Sequence, residues 1–275
     1  MKNDQTIKDV QMKILDIMKF IDNVCRENDI EYCIMGGTAL GAVRHGGFIP
    51  WDDDLDIFMK PDQYAKFKRA FRKYRQDQFV IQEWKTTDRY IEYAKVRMNG
   101  TTFIEKNFIH NKTMHQGIYV DIMMLHKIPY DPFIQRLVCF ESKFAVLYAL
   151  SQRNWQPKNK IQKAALLVLR FLPCRLMAKA AYRHIYRYDR MKDHYMYCYW
   201  LTPAKFRNGL FDRSFFDETK EIPFEDTVLK CPKKIKAYLS YRYGDYMKLP
   251  SEEQRQAAVH AYIFDINKDY TCYIG

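Results

Sequence analysis

Long apolar segments are missing from this sequence. The longest apolar run, AALLVLRFL at residues 164–172, includes Arg170. It falls well short of the roughly 20 residues that a membrane-spanning helix needs. The N-terminal segment, MKNDQTIKDVQ, also lacks the apolar stretch of a signal peptide. We therefore expect a cytoplasmic protein without a transmembrane helix.

Metal-binding patterns of cysteine and histidine are missing too. The seven cysteines include no C-x-x-C pair, and the seven histidines form no H-E-x-x-H or H-x-x-E-H pattern. An odd number of scattered cysteines suggests neither a disulfide framework nor a tetrahedral zinc site. The pattern favours a reducing compartment and disfavours a histidine-built metal centre.

Negative charge is scarce over the chain as a whole. Lys and Arg number 45 against 33 Asp and Glu, for a formal net charge of +12. A positive field favours anionic partners such as nucleotides, nucleic acid or an acidic lipid surface, but it does not choose among them. The apolar content of 48% is enough for a substantial core, so we expect a globular protein.

Hydrophobic periodicity predicts an α+β fold. The first half shows helices at 6–28 and from Pro61 to about Tyr74, with strands at 31–35, 55–59, 79–84, 90–98, 101–105 and 117–125. The second half shows helices from Phe133 to Leu150 and from Lys160 to about Met191, broken at Pro173, and a strand at 195–201. We predict a mixed sheet with flanking helices over residues 1–130 and a mainly helical region over 131–275.

Against the basic background, the segment WDDDLDIFM places four aspartates within five positions. In a strand, Asp52, Asp54 and Asp56 would share one face and the apolar residues the other. Crowded carboxylates repel one another unless a cation or a basic side chain neutralises them. Their hard oxygens favour Mg²⁺ or Mn²⁺, so the segment predicts a metal site. The alternative is an acidic turn paired with lysine and arginine.

A glycine cluster precedes the acidic segment. Five of the ten glycines fall within residues 36–47. Glycine permits tight turns and lets backbone N–H groups approach an anion closely. The cluster predicts a phosphate-binding loop in front of the acidic strand, as nucleotide chemistry would need. The alternative is a set of ordinary turns.

Four further positions are candidates for the same site. Asp121, inside the strand GIYVDIMML, needs a partner such as a bound cation or a neighbouring loop. Lys95 and Arg97 share a strand face. They could bind the phosphates of a nucleotide-type donor substrate, or they could pair with surface acids or with the aspartate cluster. Arg44, in the glycine segment, is a candidate of the same kind.

These motifs together resemble the LicD family, relatives of the eukaryotic fukutin-type proteins in the nucleotidyltransferase-fold superfamily. The resemblance spans residues 7–260 and depends on GGTALGAVRHGGFIPWDDDLDIFM, AKVRMNGTTF, GIYVDIMML, and YLSYRYGDYMKLP followed by RQAAVH. It implies a nucleotidyltransferase-like sheet core. Gly36 and Gly37 would be the superfamily's glycine pair on a short helix, Asp54 and Asp56 its D-x-D pair, and Asp121 its later acid.

The resemblance implies transfer of a phospho-substituent, such as phosphocholine or an alditol phosphate, from a CDP-linked donor to a glycan hydroxyl. Asp54, Asp56 and Asp121 would be catalytic and would hold Mg²⁺ or Mn²⁺, and either Asp121 or Asp52 would accept the acceptor's proton. The acceptor would be a cell-surface glycan or a lipid-linked precursor. The residues expected to bind the donor phosphates are Gly36, Gly37, Thr38, Arg44, Lys95 and Arg97.

Two other functions remain open from the sequence. The first is a nucleotidyltransferase that moves NMP from an NTP to a small molecule or RNA, although the long interval from Thr38 to Asp54 weakens that analogy. The second is a nucleic-acid-binding module, but the acidic segment would repel a phosphate backbone, so we expect no nucleic acid partner. The basic helices could contact an anionic membrane at its inner face. His260 and YRYGDYMKLP are interpreted as parts of the fold.

Overall fold

The structure, a computed structural model, describes residues 5–74, 77–83, 93–109, 111–151, 160–172, 174–202, 204–256 and 259–274. Its helices are α1 (Ile7–Glu27), α2 (Gly36–His45), α3 (Pro61–Phe71), α4 (Pro132–Ser151), α5 (Lys160–Phe171), α6 (Arg175–Tyr188), α7 (Ile235–Tyr243) and α8 (Glu252–Gln256). Its strands are β1 (Cys33–Ile34), β2 (Asp56–Met59), β3 (Phe79–Gln82), β4 (Tyr93–Met98), β5 (Thr102–Glu105), β6 (Tyr119–Met124), β7 (His126–Pro129), β8 (Tyr195–Cys198), β9 (Leu210–Phe211), β10 (Thr219–Phe224), β11 (Thr227–Pro232) and β12 (Ala261–Asp265).

The described chain divides into two compact units. The first contains the residues up to Gln82, from Ala94 to Met123, and from Ser214 onwards. The second contains the described residues Glu83 and Tyr93 and the residues from Met124 to Arg213. The first unit is therefore assembled from three separate pieces of sequence, and the predicted boundary between residues 130 and 131 stays a prediction.

A central sheet with strand order β1-β2-β6-β4-β3 forms the core of the first unit. Its inward side chains, including Ile57, Val96 and Val120, are completely buried. The predicted mixed sheet with flanking helices is confirmed. The predicted strands are recovered within a few residues at each end, although residues 84 and 90–92 of two of them lie outside the described residues.

Helix α1 shows how the sequence specifies these elements. Thr6 and Asp9 form a capping box, in which each side chain accepts a hydrogen bond from the other residue's backbone N–H. The helix then buries a stripe at helical spacing that includes Ile14, Ile17 and Ile21. Helix α3 begins at Pro61 because proline is tolerated in a first turn, where its missing N–H would have no partner.

The glycine segment is a helix over residues 36–45, and the loop predicted there from the residues alone is wrong. Good helix formers between the glycines favour the helix, and Gly46 ends it in the left-handed region with φ 71°. A Cβ at Gly41 would lie 2.4 Å from the carbonyl oxygen of Gly47, so Gly41 permits close backbone packing. The short helix implied by the family resemblance is the correct description.

The second unit packs α4 and α6 against a sheet of order β7-β8-β9. Its core includes Ile128, Val138, Ile185 and Trp200, all completely buried. The predicted helices of this region are present, with the break between α5 and α6 near the predicted position. The strands β7 and β9 to β12 were not predicted, because their short segments lack a clear apolar alternation, and the helices α7 and α8 were not predicted either. In the described parts of the chain, no helix is both long and apolar enough to cross a membrane.

Candidate functional site

Backbone hydrogen bonds bring α2, β2 and β6 together around the aspartates. The N–H of Asp56 donates to Oγ1 of Thr38 over 2.9 Å, and its carbonyl accepts from Met35 over 3.1 Å. The N–H of Asp121 donates to the carbonyl of Leu55 over 2.9 Å, which places β6 beside the acidic segment. Three elements that are separate in sequence therefore meet at Asp54, Asp56 and Asp121.

The glycine pair leaves room for the carboxylates at the start of α2. A Cβ on Gly37 would lie 2.9 Å from Oδ2 of Asp52, a distance that real Cβ contacts essentially never show. A Cβ on Gly36 would lie 3.8 Å from Oδ2 of Asp56 and from the hydroxyl of Tyr243. The structure thus brings the predicted residues Gly36 and Gly37 against the aspartate cluster.

The aspartates are not arranged as a regular strand face. Strand β2 begins only at Asp56, so the predicted strand conformation is wrong for Asp52 and Asp54, although the three carboxylates do lie together as predicted. The segment departs from a strand because the buried carboxylate of Asp53 accepts hydrogen bonds from the N–H groups of His260 and Ala261 at 2.7 to 3.0 Å. These bonds hold the segment in irregular backbone before the strand.

The cluster holds more negative charge than its surroundings neutralise. Burial, followed by repulsion from Asp54, raises the pKa of Asp52 to about 8. Burial also raises the pKa of Asp54, against the attraction of His260, and raises the pKa of Asp56 far above its usual value with repulsion from Asp54 and Asp121. A bound cation would relieve this repulsion.

His260 lies at the same cluster, a place that the sequence patterns did not indicate. Its Nδ1 lies 3.0 Å from Oδ1 of Asp53 and 3.7 Å from Oδ2 of Asp54. The hydrogen bond to Asp53 is the main reason why the pKa of His260 rises to about 9. The side chain interpreted as part of the fold therefore also supplies a positive charge beside Asp54. Its only sequence signal is the RQAAVH motif.

Lys95 and Arg97 take different places in the structure. The Nζ of Lys95, on a side chain 2% exposed, lies 2.8 Å from Asp121 and 3.2 Å from the ring centroid of Tyr119. This is the predicted alternative in which Lys95 pairs with the cluster. Arg97, only 1% exposed, donates to Oε1 of Gln82 over 2.7 Å and to the carbonyl of Gly117 over 2.6 Å. A phosphate-binding role for either residue stays a prediction.

The described residues include no group of three or more His, Cys, Asp and Glu side chains that could hold a metal ion as they stand. Asp121 forms an ion pair with Lys95, whose Nζ donates a hydrogen bond to Oδ2 over 2.8 Å. The other carboxylate oxygen of Asp121, Oδ1, is buried and has no hydrogen-bond partner among the described residues. The oxygen chemistry of Asp54, Asp56 and Asp121 suits Mg²⁺ or Mn²⁺. The metal site stays a prediction that the chemistry of these residues fits.

Two arginines lie near each other at the far end of α2. Nη1 of Arg44 donates to the carbonyl of Tyr246 over 3.1 Å, and the Arg255 guanidinium lies 4.8 Å from the ring centroid of Trp51. Burial and the positive charge of Arg255 both lower the pKa of Arg44. Among the described residues, neither guanidinium has a carboxylate within ion-pair distance. The two guanidinium groups are therefore suited to binding an anion. Arg255 was not predicted from the sequence.

Comparison with known proteins agrees with this geometry. Residues 29–162 match the family model described as LicD/FKTN/FKRP, nucleotidyltransferase domain. The lipopolysaccharide cholinephosphotransferase LicD of Haemophilus influenzae is 24% identical over 254 residues, which make up 91% of this chain and 95% of that protein. An uncharacterized protein of Rickettsia prowazekii is 30% identical over 118 residues, covering 43% of this chain and 41% of its own. The family-model match includes the glycine pair, the acidic segment and Asp121, and over these residues the chain is similar to the LicD family.

Proposed function

We propose that the chain transfers phosphocholine, or a related phospho-alcohol, from a CDP-linked donor to a hydroxyl of a cell-surface glycan or its precursor. The observation that carries this proposal is the cluster of Asp52, Asp54 and Asp56 against the start of α2. The alignment with a cholinephosphotransferase over 95% of that protein supports the choice of reaction.

The reaction balances as a single phosphoryl transfer. The acceptor oxygen forms a bond to the phosphorus that carries the alcohol, while the bond from that phosphorus to the bridging oxygen breaks. The bonding electron pair leaves with CMP, and the acceptor's proton passes to a carboxylate. Asp121 and Asp52 are the two candidates for that base.

The cluster offers a place for the divalent cation that this chemistry needs. We propose Asp54 and Asp56 as its ligands, with Asp121 as a third if Lys95 releases it. When bound, Mg²⁺ or Mn²⁺ would supply positive charge to the donor diphosphate. His260 and Lys95 add positive charge at the same place, 3.7 Å from Asp54 and 2.8 Å from Asp121.

The arginine pair is proposed to bind the donor diphosphate. We expect Arg44→Ala and Arg255→Ala each to raise KM for the CDP-linked donor about tenfold, because a charge-assisted hydrogen bond to phosphate contributes roughly 1.5–3 kcal/mol. The kcat should change much less. Steady-state kinetics at varied donor concentration will measure this.

Arg69→Ala on the surface of α3 is a matched control that should leave KM unchanged. Arg255→Lys separates charge from geometry, because lysine keeps the charge but loses the planar fork that grips phosphate. An unchanged donor KM in both alanine variants would contradict the proposed role of the pair.

The proposed function is tested by the products released from defined donors. Purified protein with Mn²⁺ should release CMP from CDP-choline or from another CDP-alcohol when a glycan acceptor is present, and EDTA should stop the release. The donors to compare are CDP-choline, CDP-ethanolamine, CDP-glycerol and CDP-ribitol. Release of pyrophosphate from an NTP, with no CMP from any of these donors, would instead identify a nucleotidyltransferase.

A further inference from the structure

Helix α4 is apolar on two opposite faces. One face, including Val138 and Ala145, is buried in the core of the second unit. The other face carries Phe133 and Phe140, which are 74% and 73% exposed, and Leu147. A helix on the surface of a water-exposed domain normally presents polar residues on its outer face. The outer face of α4 is therefore built for contact with something other than water.

The next two helices also carry exposed apolar side chains. Phe171, at the end of α5, is 82% exposed, and Leu176, at the start of α6, is 76% exposed. Between them and beside them, Val168, Leu172 and Met177 are also exposed. Single exposed apolar side chains are ordinary, but a concentration of large ones marks an interaction site.

From the residue after Glu141 in α4 to the end of α6, the charge is of one sign. Residues 142–188 contain ten Lys and Arg and no Asp or Glu, in a chain that has 33 acidic residues. On α5 and α6, the exposed side chains of Arg170, Arg175, Lys179 and Arg183 flank the apolar ones. Among the described residues, none of these four has a carboxylate within ion-pair distance.

We propose that the outer faces of α4, α5 and α6 form a surface that binds an anionic lipid membrane. The large apolar side chains would enter the boundary between headgroups and acyl chains, and the flanking cations would contact anionic headgroups. Charge complementarity selects this partner, because a second copy of the same surface would bring like charges together. The surface does not depend on the proposed transferase activity, although it would place the enzyme beside a lipid-linked acceptor.

The test measures sedimentation of the full chain with lipid vesicles. The protein should bind vesicles of phosphatidylcholine mixed with phosphatidylglycerol, bind pure phosphatidylcholine much more weakly, and leave the mixed vesicles as salt rises. The variant Phe171→Glu with Leu176→Glu should reduce the affinity for mixed vesicles about tenfold or more, because two apolar anchors are lost and two negative charges are added.

A matched control carries the same charge change elsewhere. Met12→Glu with Val228→Glu replaces two exposed apolar residues of the first unit and should bind mixed vesicles as the unmodified chain does. Both variants should keep the melting temperature, since all four side chains are exposed. CMP release with a water-soluble acceptor should also be unchanged, which separates this proposal from the proposed function.

Two outcomes would overturn the proposal. The first is equal vesicle binding by the Phe171→Glu, Leu176→Glu variant and its control. The second is no vesicle binding at all, together with a dimer in light scattering that the same variant dissociates. That second result would show that the surface is an interface between copies of the chain.

Discussion

Replacing Asp54 and Asp56 together with asparagine is expected to abolish CMP release and to raise the melting temperature. Activity should fall about a thousandfold or more, because the carboxylates proposed to hold the cation are lost. Stability should rise because the folded state raises the pKa of both carboxylates, which means that their charged forms oppose folding at neutral pH. Asparagine keeps the shape and removes that charge.

The measurement combines chromatographic detection of CMP with thermal unfolding in EDTA. Asp62→Asn with Asp226→Asn is the matched control, since both aspartates are exposed and lie outside the cluster. This control should keep full activity. Near-normal CMP release by the Asp54→Asn, Asp56→Asn variant would reject the transferase site, and a lower melting temperature would show that the cluster stabilises the fold.

Replacing Asp53 with alanine is expected to have the opposite effect on stability. Its carboxylate, 1% exposed, accepts from the backbone N–H groups of His260 and Ala261 and contacts the imidazole of His260. Alanine would leave these donors without their acceptor at the start of β12. We expect the free energy of unfolding to fall by roughly 3 kcal/mol, since a buried charged acceptor and its hydrogen bonds are lost.

Urea denaturation followed by circular dichroism will measure this change. Asp226→Ala removes an exposed carboxylate that pairs with Lys19 over 2.8 Å, and it should lower the free energy of unfolding much less than Asp53→Ala does, because solvent screens an exposed ion pair. His260→Ala keeps both backbone donors, so its loss of unfolding free energy should lie between those of Asp53→Ala and Asp226→Ala. If Asp53→Ala is as stable as Asp226→Ala, the carboxylate of Asp53 does not hold the acidic segment in place.

The local elements of the fold could be predicted because their signals are local. The apolar spacing in α1 and α4 and the alternation in β6 each lie within a single window of sequence. The residues of α2 did not predict a helix, because glycine has a low helix propensity. Close packing of Gly41 against the backbone of Gly47 outweighs this low propensity in the folded protein. The family resemblance supplied what propensity did not.

The site itself was predictable in its residues but not in its contacts. The density of aspartates pointed to Asp54 and Asp56, the position of an acid within an apolar strand pointed to Asp121, and the structure brings all three together. The partners of Asp53 are 207 and 208 residues away, and no spacing rule connects them. His260 lies beside Asp54 and Arg255 lies near Arg44 because the last part of the chain belongs to the first unit.

This arrangement has a consequence for synthesis. A ribosome releases residues 124–213, which form most of the second unit, before it has made the final piece of the first. Until that piece emerges, β5 lacks its partner β12, Gly36 lacks the hydroxyl of Tyr238, and Asp53 lacks both of its backbone donors. The acidic segment of a nascent chain therefore lacks these partners until residues 238–265 have been made, and a chain that stops at residue 213 would lack all of them.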